Sequence, residues 1–401
     1  MLAAHPDGFL HDGVEHGFFH ETRLLSRYRY LIDGRPLKAV ALSNIQQHSW
    51  LGYYITFPPG AAAGEPDRGS GSMQPDSEYT VELRLSRYIG GGFHEDVDLR
   101  NFTRETSRFD LTLQVDADFA DLIETKGERQ QFGELRREWR QQEEGVWELS
   151  FDYRAEHAYS HHGESGHSTL HRGAILRIEH SDTPPSRTAA DEITFRVELG
   201  PGASWHACIN LVPVLDGVRT WPKYGCRSFF GIHNEFDRKR TVFLGDSTQL
   251  TGPESHTLAP VVVAAFERAK HDLASLLLYH FDHGDRSWVP AAGLPIYLAL
   301  FGRDSLTAGW QAGLATVDMM RGAARELVRW QGVEVDDWRD EQPGKMLHEA
   351  HTGPLAVLNF NPRARYYGSI TTSGFFPVVV SELWRWTGDR DEIAPLIEPA
   401  L

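Results

Sequence analysis

The sequence is poor in cysteine, with only Cys208 and Cys226 among 401 residues. Two cysteines cannot form the disulfide framework of small secreted domains, so we expect a cytoplasmic location. Long apolar runs are also missing, since no stretch approaches the roughly 20 apolar residues that span a bilayer. The first twenty residues are interrupted by histidine, aspartate and glutamate. They therefore lack the apolar segment of a signal peptide.

Basic side chains are outnumbered by acidic ones. Forty lysines and arginines against 56 aspartates and glutamates give a formal net charge of −16. A surface of this sign repels phosphate backbones and anionic lipids, so we expect neither nucleic acid nor membrane as a partner. Aromatic residues make up 11% of the chain. An acidic, aromatic-rich protein suits a neutral, polyhydroxylated ligand.

The first 255 residues contain short segments in which apolar and polar side chains alternate. This period of two predicts strands with one buried and one solvated face. A hairpin is predicted where 28–32 and 37–42 flank the turn residues Asp33-Gly34. Because no helical pattern separates the strands, we predict a large β-sandwich over 1–255. Further strands are predicted at 80–89, 108–115, 146–153, 170–179, 192–199 and 205–214.

Two segments of the first half have the composition of loops. The segment 58–77 is rich in proline, glycine, alanine and serine. The segment 157–171 contains five histidines among glycine and serine. Clustered histidines can bind zinc, but a solvated loop without carboxylate or thiolate partners is the interpretation we favour. We therefore predict no metal site.

From residue 259 onward the apolar spacing becomes helical. Helices are predicted at 261–279, 306–330, 373–387 and from 390 to the final Leu401. Strands followed by helices indicate two separate domains, 1–255 and 256–401. The last helical pattern still continues at Leu401, so we expect an unfinished helical domain. Its exposed apolar faces would favour self-association or a complementary chain.

The segment Gly302-Arg303-Asp304-Ser305 stands before a long helical pattern. Arg303 offers a planar set of donors and Asp304 offers an acceptor, a combination that can bind two neighbouring sugar hydroxyls. The alternative is structural, with Asp304 capping the helix and pairing with Arg303. Arg-Asp-Ser alone favours the structural alternative.

Two further segments contain residue types that can carry chemistry. His348 and Glu349 are a candidate acid–base pair, or simply the start of a surface helix. Tyr366 and Tyr367 precede Gly368 and are candidates for stacking on a sugar ring, or for packing in a turn. No phosphate-binding glycine loop occurs, so no cofactor is expected.

Taken together, these segments resemble the bacterial and archaeal glycogen-debranching, amylo-α-1,6-glucosidase-like glycoside hydrolases. The resemblance covers nearly all 401 residues. It makes sugar binding, and not helix capping, the favoured interpretation of Arg303 and Asp304. Its pieces in the first half are 16–28, 97–102 and 116–122. Its pieces in the second half are 291–305, 344–349, 366–369 and 382–389.

The resemblance implies a mainly β N-terminal supersandwich followed by the start of an (α/α)6 toroid. It implies that Arg303 and Asp304 anchor a terminal glucosyl unit of an oligosaccharide, and that His348 and Tyr367 contribute to substrate binding. Toroid enzymes of this kind invert the anomeric configuration with two carboxyl groups about 6.5–9.5 Å apart. Such a mechanism requires no metal and no cofactor.

The sequence departs from the family pattern at three points. Thr371 stands where the family has an aspartate that we assign as the general acid, and a hydroxyl is too weak an acid to replace it. Glu349 is the nearest remaining carboxyl candidate. His20-Glu21-Thr22 replaces a common Arg-Asp-Thr. Finally, about four helices fit into 261–401, whereas a toroid needs twelve, so we expect a truncated domain.

These departures leave several functions open. The first is a glycoside hydrolase of α-glucan or glycogen metabolism, acting alone or as part of a longer chain. Alternatively, the protein is a catalytically inactive or truncated carbohydrate-binding relative in which Thr371 has replaced the general acid. A third alternative is a remnant that does not fold stably alone. Whether this chain is an enzyme is therefore left open by the sequence.

Overall fold

The computed structural model describes residues 5–12, 17–46, 48–56, 81–143, 145–161, 164–228, 235–252, 257–281, 287–293 and 297–401. The chain forms two compact units. The first, here called the sandwich unit, comprises Met1–Phe19, Arg23–Ala155 and Leu170–Ile232. The second, the helical unit, comprises His20–Thr22, Glu156–Thr169 and His233–Leu401. The predicted boundary at 255/256 and the predicted loop 58–77 lie outside the described residues.

Several strands before the helices follow the predicted alternation of buried and exposed side chains, whereas β15 is buried over most of its length. On the ninth strand, Leu111, Leu113 and Val115 are fully buried, with polar residues between them. The strands are β1 (Phe18–Phe19), β2 (Thr22–Arg23), β3 (Arg27–Ile32), β4 (Arg35–Pro36), β5 (Lys38–Gln46), β6 (Ser49–Ile55), β7 (Val81–Ile89), β8 (Phe93–Asn101), β9 (Ser107–Asp116), β10 (Gly133–Glu143), β11 (Val146–His161), β12 (Glu164–Ser181), β13 (Arg187–Thr188), β14 (Glu192–Leu199), β15 (Ser204–Leu215) and β16 (Val218–Arg219).

These strands form two larger sheets within the described residues. A nine-stranded sheet has the order β10-β11-β12-β15-β8-β7-β6-β5, with β16 paired to β15. A five-stranded sheet has the order β13-β14-β9-β3-β4. The described strand pairs of both sheets are antiparallel. The mainly β, sandwich-like character predicted for this half is thus confirmed.

The predicted hairpin at Asp33-Gly34 is correct at the turn and wrong in its second arm. Asp33 and Gly34 have φ values of 48° and 72°, as a tight two-residue turn requires, and they join β3 to the short β4. Residues 38–42 instead belong to β5, which pairs with β6 in the nine-stranded sheet. Pro36 has no N–H with which to extend the ladder against β3, so the chain leaves that sheet there.

The predicted loop 157–171 is wrong for its described residues, because 157–161 lie in β11 and 164–171 lie in the neighbouring strand β12. The segment Glu156–Thr169 groups with the helical unit. There, the ring of His157 stacks on Phe360 at 3.8 Å and that of His161 stacks on Trp338 at 3.5 Å. Among the described residues, these histidines have separate partners and do not converge as metal ligands.

The helical unit contains seven α-helices within its described residues. The predicted helix 306–330 is two helices separated by a 3₁₀ turn at Ala312–Leu314, and the predicted helix 373–387 begins three residues earlier. The bounds are α1 (Glu235–Asp246), α2 (Ala259–Ala274), α3 (Gly302–Gln311), α4 (Asp318–Arg329), α5 (Pro354–Val357), α6 (Ile370–Thr387) and α7 (Arg390–Ala400), with short strands β17 (Leu300–Phe301) and β18 (Glu349–Ala350).

The first helix, α1, has no counterpart in the predictions and belongs to the helical unit. Its Phe243 is buried and stacks on Trp288 with ring centroids 4.5 Å apart, in a cluster with Ala274 and Met319. This packing groups α1 with α2 and α4 in the helical unit. Nowhere in the described residues does a helix combine the length and the apolar character needed to traverse a lipid bilayer.

Candidate functional site

Three of the sequence blocks with candidate functional residues meet in the helical unit. Phe301, the residue before Gly302, pairs with Glu349 in the short β17–β18 ladder. On its other side, Glu349 forms an antiparallel bridge with Tyr366, whose N–H donates to the Glu349 carbonyl at 3.0 Å. Three segments far apart in sequence therefore lie side by side, with Glu349 in the middle.

Gly302 permits this close approach. A Cβ atom at Gly302 would lie 2.1 Å from the carbonyl oxygen of Leu347, a separation that no side chain can adopt. Without that atom, the Gly302 N–H donates to the His348 carbonyl at 2.8 Å. The glycine before the Arg-Asp pair is thus required by backbone packing.

Arg303 and Asp304 lie in the first turn of α3. The helix begins at Gly302 after Phe301, with no side-chain cap, so the alternative interpretation of Asp304 as the N-cap is wrong. The guanidinium of Arg303 lies 3.3 Å from both carboxylate oxygens of Asp304. The side chains are 52% and 37% exposed, so their remaining donors and acceptors can reach a ligand.

Glu349 is a buried carboxylate held by cationic groups. Its Oε2 lies 3.1 Å from Nε2 of His351, and its Oε1 lies 3.5 Å from Nε of Arg363. Burial acts to raise the pKa of Glu349. The hydrogen bond and charge of His351, together with Arg363 and His348, outweigh it, and the resulting pKa is lowered. Glu349 is therefore ionised at neutral pH.

His351 lies between two carboxylates. Its Nδ1 is 2.6 Å from Oε1 of Glu21, and its Nε2 contacts Glu349. Glu21 belongs to the segment His20–Thr22 of the helical unit, and its other oxygen accepts from the Thr352 N–H at 2.6 Å. Burial lowers the pKa of His351, but the hydrogen bonds and charges of the two glutamates prevail and raise it to about 9. At neutral pH this imidazole is an imidazolium.

His348 and Thr372 each present a buried polar atom next to this cluster. The His348 carbonyl accepts from Gly302, and Thr372 contributes the methyl group nearest to Gly302 after the Leu347 carbonyl. In the part of the chain that the structure describes, Nδ1 of His348 and Oγ1 of Thr372 have no hydrogen-bond partner. A buried polar atom is normally hydrogen-bonded, so these two atoms are candidates for bonding a ligand or water.

The two neighbouring tyrosines differ in exposure. Tyr367 is fully buried, its hydroxyl donates to the Trp330 carbonyl at 2.7 Å, and its ring has no free face for a sugar. Tyr366 is half-buried, and its hydroxyl is the atom that a Cβ at Gly368 would strike. Of the two rings, Tyr366 is the one with exposed surface.

Thr371 helps to begin α6. Ser369 is the N-cap, and its Oγ accepts from the Thr371 N–H and lies 2.8 Å from the Thr371 hydroxyl. The side chain is exposed and makes a local capping network. Position 371 therefore contributes a helix-start hydroxyl where a general acid would require a carboxyl group.

A cleft of about 410 Å³ also opens within the helical unit. Its lining combines aromatic rings with charged groups. The indole N–H of Trp330 and the guanidinium of Arg329 both donate to Glu326, and the guanidinium of Arg365 lies 5.8 Å from the Trp330 ring. The lining residues are Phe281, Glu326, Arg329, Trp330 and Arg365.

A family model described as the N-terminal domain of (some) glycogen debranching enzymes matches residues 1–210. This match covers just over half of the 401 residues. The chain belongs to this family. The resemblance inferred from the sequence is thereby confirmed over the first half of the chain. No curated protein matches the chain.

In this member of the glycogen-debranching family, two residues of the candidate site, Glu21 and His351, were not predicted from the sequence. Glu21 was noted only because it departs from a common motif, and His351 was not singled out. A signal for His351 was available, since His348, Glu349 and His351 occur within four residues. Nothing in the sequence pairs Glu21 with a residue 330 positions later, so that contact required the fold.

Proposed function

We propose that this protein acts on α-glucans in glycogen metabolism as a glycoside hydrolase of the inverting, two-carboxylate type. Its substrate would be an oligosaccharide or branched glucan whose terminal glucosyl unit binds the helical unit. We further infer that this unit is of the (α/α)6 toroid type. Membership of the glycogen-debranching family supports the substrate class.

The observation that carries the proposal is the meeting of three sequence blocks around Glu349. The Arg303–Asp304 pair supplies exposed donors and acceptors on one side of this small ladder. His348 supplies a buried ring nitrogen without a partner among the described residues. Sugar hydroxyls are recognised by such combinations of fixed donors and acceptors.

Glu349 fits the role of a general base better than that of a general acid. In an inverting step, the base removes a proton from water while the water oxygen attacks the anomeric carbon, and an acid protonates the departing oxygen. A general acid needs a raised pKa. The pKa of Glu349 is lowered, because His351 and Arg363 outweigh its burial. Glu349 is thus ionised, the form that a general base requires.

A second function, glucan binding without hydrolysis, is favoured by Thr371. The Thr371 hydroxyl is engaged in capping α6 and offers no acidic proton at neutral pH. A protein with the Arg303–Asp304 anchor but no acid at this position would retain sugar binding. The same anchor therefore serves both functions, and only hydrolysis separates them.

The deciding experiment is calorimetric titration of the 401-residue protein with maltotriose and isomaltose, followed by assay of the same samples for glucose. Asp304→Asn should weaken binding about tenfold, because one charged hydrogen bond to the sugar is lost. Its melting temperature should stay unchanged, since Asp304 does not cap α3. Glu382→Gln is the matched control, because it removes a carboxylate from another helical Arg pair in the same unit.

Binding with glucose release establishes a hydrolase, and Glu349→Gln should then abolish release while sugar still binds. Binding without release establishes the second function. Failure of both sugars to bind, or equal binding by Asp304→Asn and the unmodified protein, would refute the site.

A further inference from the structure

The sandwich unit carries a second cluster of chemically reactive side chains. Asp96, His206, Cys208 and Cys226 each offer one oxygen, nitrogen or sulfur atom, and these atoms all lie within 4.8 Å of one another. We propose that these four side chains bind one zinc ion. The site is independent of the function proposed above.

Strand pairing brings three of the four ligands together. Asp96 on β8 lies directly opposite Cys208 on β15, and Asp98 lies opposite His206. Residues two apart on a strand point to the same face of a sheet. The side chains of Asp96, Asp98, His206 and Cys208 therefore share one face. Cys226 follows β16 and completes the group from the segment beyond the sheet. A rigid sheet therefore fixes most of the geometry.

Four of the six separations among these atoms are close to those around a tetrahedral zinc ion. Nε2 of His206 lies 3.1 Å from Sγ of Cys208 and 3.2 Å from Sγ of Cys226. Oδ1 of Asp96 lies 3.5 Å from Sγ of Cys208 and 3.8 Å from Nε2 of His206. Zinc bonds of about 2.0–2.3 Å place tetrahedral ligand atoms roughly 3.3–3.8 Å apart. Shifts of a few tenths of an ångström would accommodate the ion.

The ligands are supported by an outer layer of hydrogen bonds. Nδ1 of His206 lies 2.8 Å from Oδ1 of Asp98, and Oδ2 of the same carboxylate accepts from Arg84 at 2.7 Å. When Nδ1 donates this bond, the lone pair of Nε2 faces the cluster, the arrangement typical of zinc-bound histidines. The other oxygen of Asp96 accepts from the Arg227 N–H at 3.0 Å. This bond helps to aim Oδ1 of Asp96 inward.

His94 is a further neighbour of the site. Its Nε2 lies 3.2 Å from Oδ1 of Asp96, and its Nδ1 lies 2.7 Å from Oδ1 of Asn210. His94 is fully buried, so its ring orientation is set by these two contacts. It thus orients the Asp96 carboxylate and belongs to the outer layer.

The chemistry of the ligand set selects zinc. Two sulfurs, one imidazole nitrogen and one carboxylate oxygen suit Zn²⁺, whereas Mg²⁺ and Ca²⁺ prefer oxygen ligands alone. Asp96, His206 and Cys208 are at most 5% exposed, so water is a poor competitor for three positions. On binding, the two thiols lose their protons to solvent as two Zn–S bonds form. With four protein ligands the site is closed, as in structural zinc sites.

A zinc ion here would fasten the segment around Cys226 to the sheet. Cys226 and Arg227 lie beyond β16 at the end of the sandwich unit, and Cys226 is exposed. The ion would bind this segment to the central strands β8 and β15 through Asp96 and Cys208. Its role is therefore to stabilise the fold, with no part in glucan chemistry.

The test is elemental analysis of the 401-residue protein purified with a thiol reductant, together with Co²⁺ substitution. We expect about one zinc per chain, and cobalt spectra with thiolate charge-transfer bands and strong tetrahedral d–d bands. Cys226→Ser should remove the zinc and the charge-transfer intensity contributed by one thiolate. Asp98→Asn should lower zinc affinity roughly 10–100-fold. His167→Gln, which removes an exposed histidine elsewhere, is the control and should retain zinc.

Chelation should lower the melting temperature of the unmodified protein and leave that of Cys226→Ser unchanged, because only a bound ion stabilises by mass action. Zinc content unaffected by Cys226→Ser would overturn the proposal. So would a metal-free protein that does not take up zinc or cobalt after reduction. A Cys208–Cys226 disulfide that persists in reductant, detected by mass spectrometry and thiol titration, would equally exclude the site.

Discussion

At the residue scale, the charge of His351 couples the pH of the solution to the stability of the helical unit. The two glutamates raise its pKa from 6.5 to about 9, against the effect of burial. A raised pKa gives stability that is complete below pH 6.5 and is lost as the pH rises through 9. The difference between these two pKa values corresponds to roughly 3 kcal/mol of unfolding free energy. Glu349 affects stability at low pH. Because its pKa is lowered, its contribution to stability is lost as the pH falls through that pKa.

We therefore expect the free energy of unfolding to fall between pH 6.5 and 9.5, measured by urea titration with tryptophan fluorescence. His351→Gln should be less stable at pH 6.5, because Glu21 and Glu349 lose their shared cation. Its stability should change much less over the same interval. His167→Gln, an exposed histidine paired loosely with Glu156, should behave like the unmodified protein. An equal fall in His351→Gln would assign the pH dependence to other groups.

At the element scale, the three-segment ladder depends on the absence of a side chain at Gly302. Gly302→Ala would place a methyl group 2.1 Å from the Leu347 carbonyl, so α3 must move away from β18. We expect a loss of roughly 3 kcal/mol or more in unfolding free energy and loss of any glucan binding. Gly374→Ala is the matched control, since a Cβ there meets no atom within 4 Å in the middle of α6.

This control should be neutral or stabilising by about 0.5–1 kcal/mol, because alanine favours a helix over glycine. Thermal unfolding and calorimetric titration of both variants measure these effects. A Gly302→Ala protein with native stability and binding would show that the ladder is not needed for the site.

Some of the strands and helices can be predicted from the sequence and others cannot. Sequence patterns located eight of the sixteen described strands β1–β16, among them β3 and β9, in which buried and more exposed side chains alternate. The ends of β11 and β12 were missed as strands, and two of their histidines, His157 and His161, stack on Phe360 and Trp338, about two hundred residues further on. Helix α1 was missed for a similar reason, since its anchor Phe243 packs on Trp288. Contacts across such distances leave no local periodicity.

The sequence likewise predicts only some features of the candidate site. The chemistry-bearing blocks at 302–305, 348–349 and 366–367 could be selected from residue types and spacing, and the fold brings them together. The burial of Tyr367, however, is decided by its bond to the Trp330 carbonyl, which no local pattern encodes. The zinc ligands combine strand register with one cysteine beyond the sheet. Counting cysteines alone therefore could not indicate that site.

At the scale of the whole molecule, the net charge of −16 should affect the binding of anionic ligands but not that of neutral ones. A glucan is neutral, so its dissociation constant should stay the same between about 50 mM and about 500 mM NaCl, over which surface charges become screened. Duplex DNA should not bind at either concentration, because like charges repel. Calorimetry and gel-shift assays test both statements. Strongly salt-dependent binding of maltotriose would contradict a neutral-ligand site.

The helical unit takes its residues from three places in the chain: His20–Thr22, Glu156–Thr169 and His233–Leu401. A genetic crossover between the two halves of the gene would therefore exchange His351 while leaving Glu21 behind. The chimaeric protein would place His351 opposite a residue 21 inherited from another lineage. The two halves consequently cannot be shuffled as independent modules, and substitutions at positions 21 and 351 should arise in concert as the family diverges.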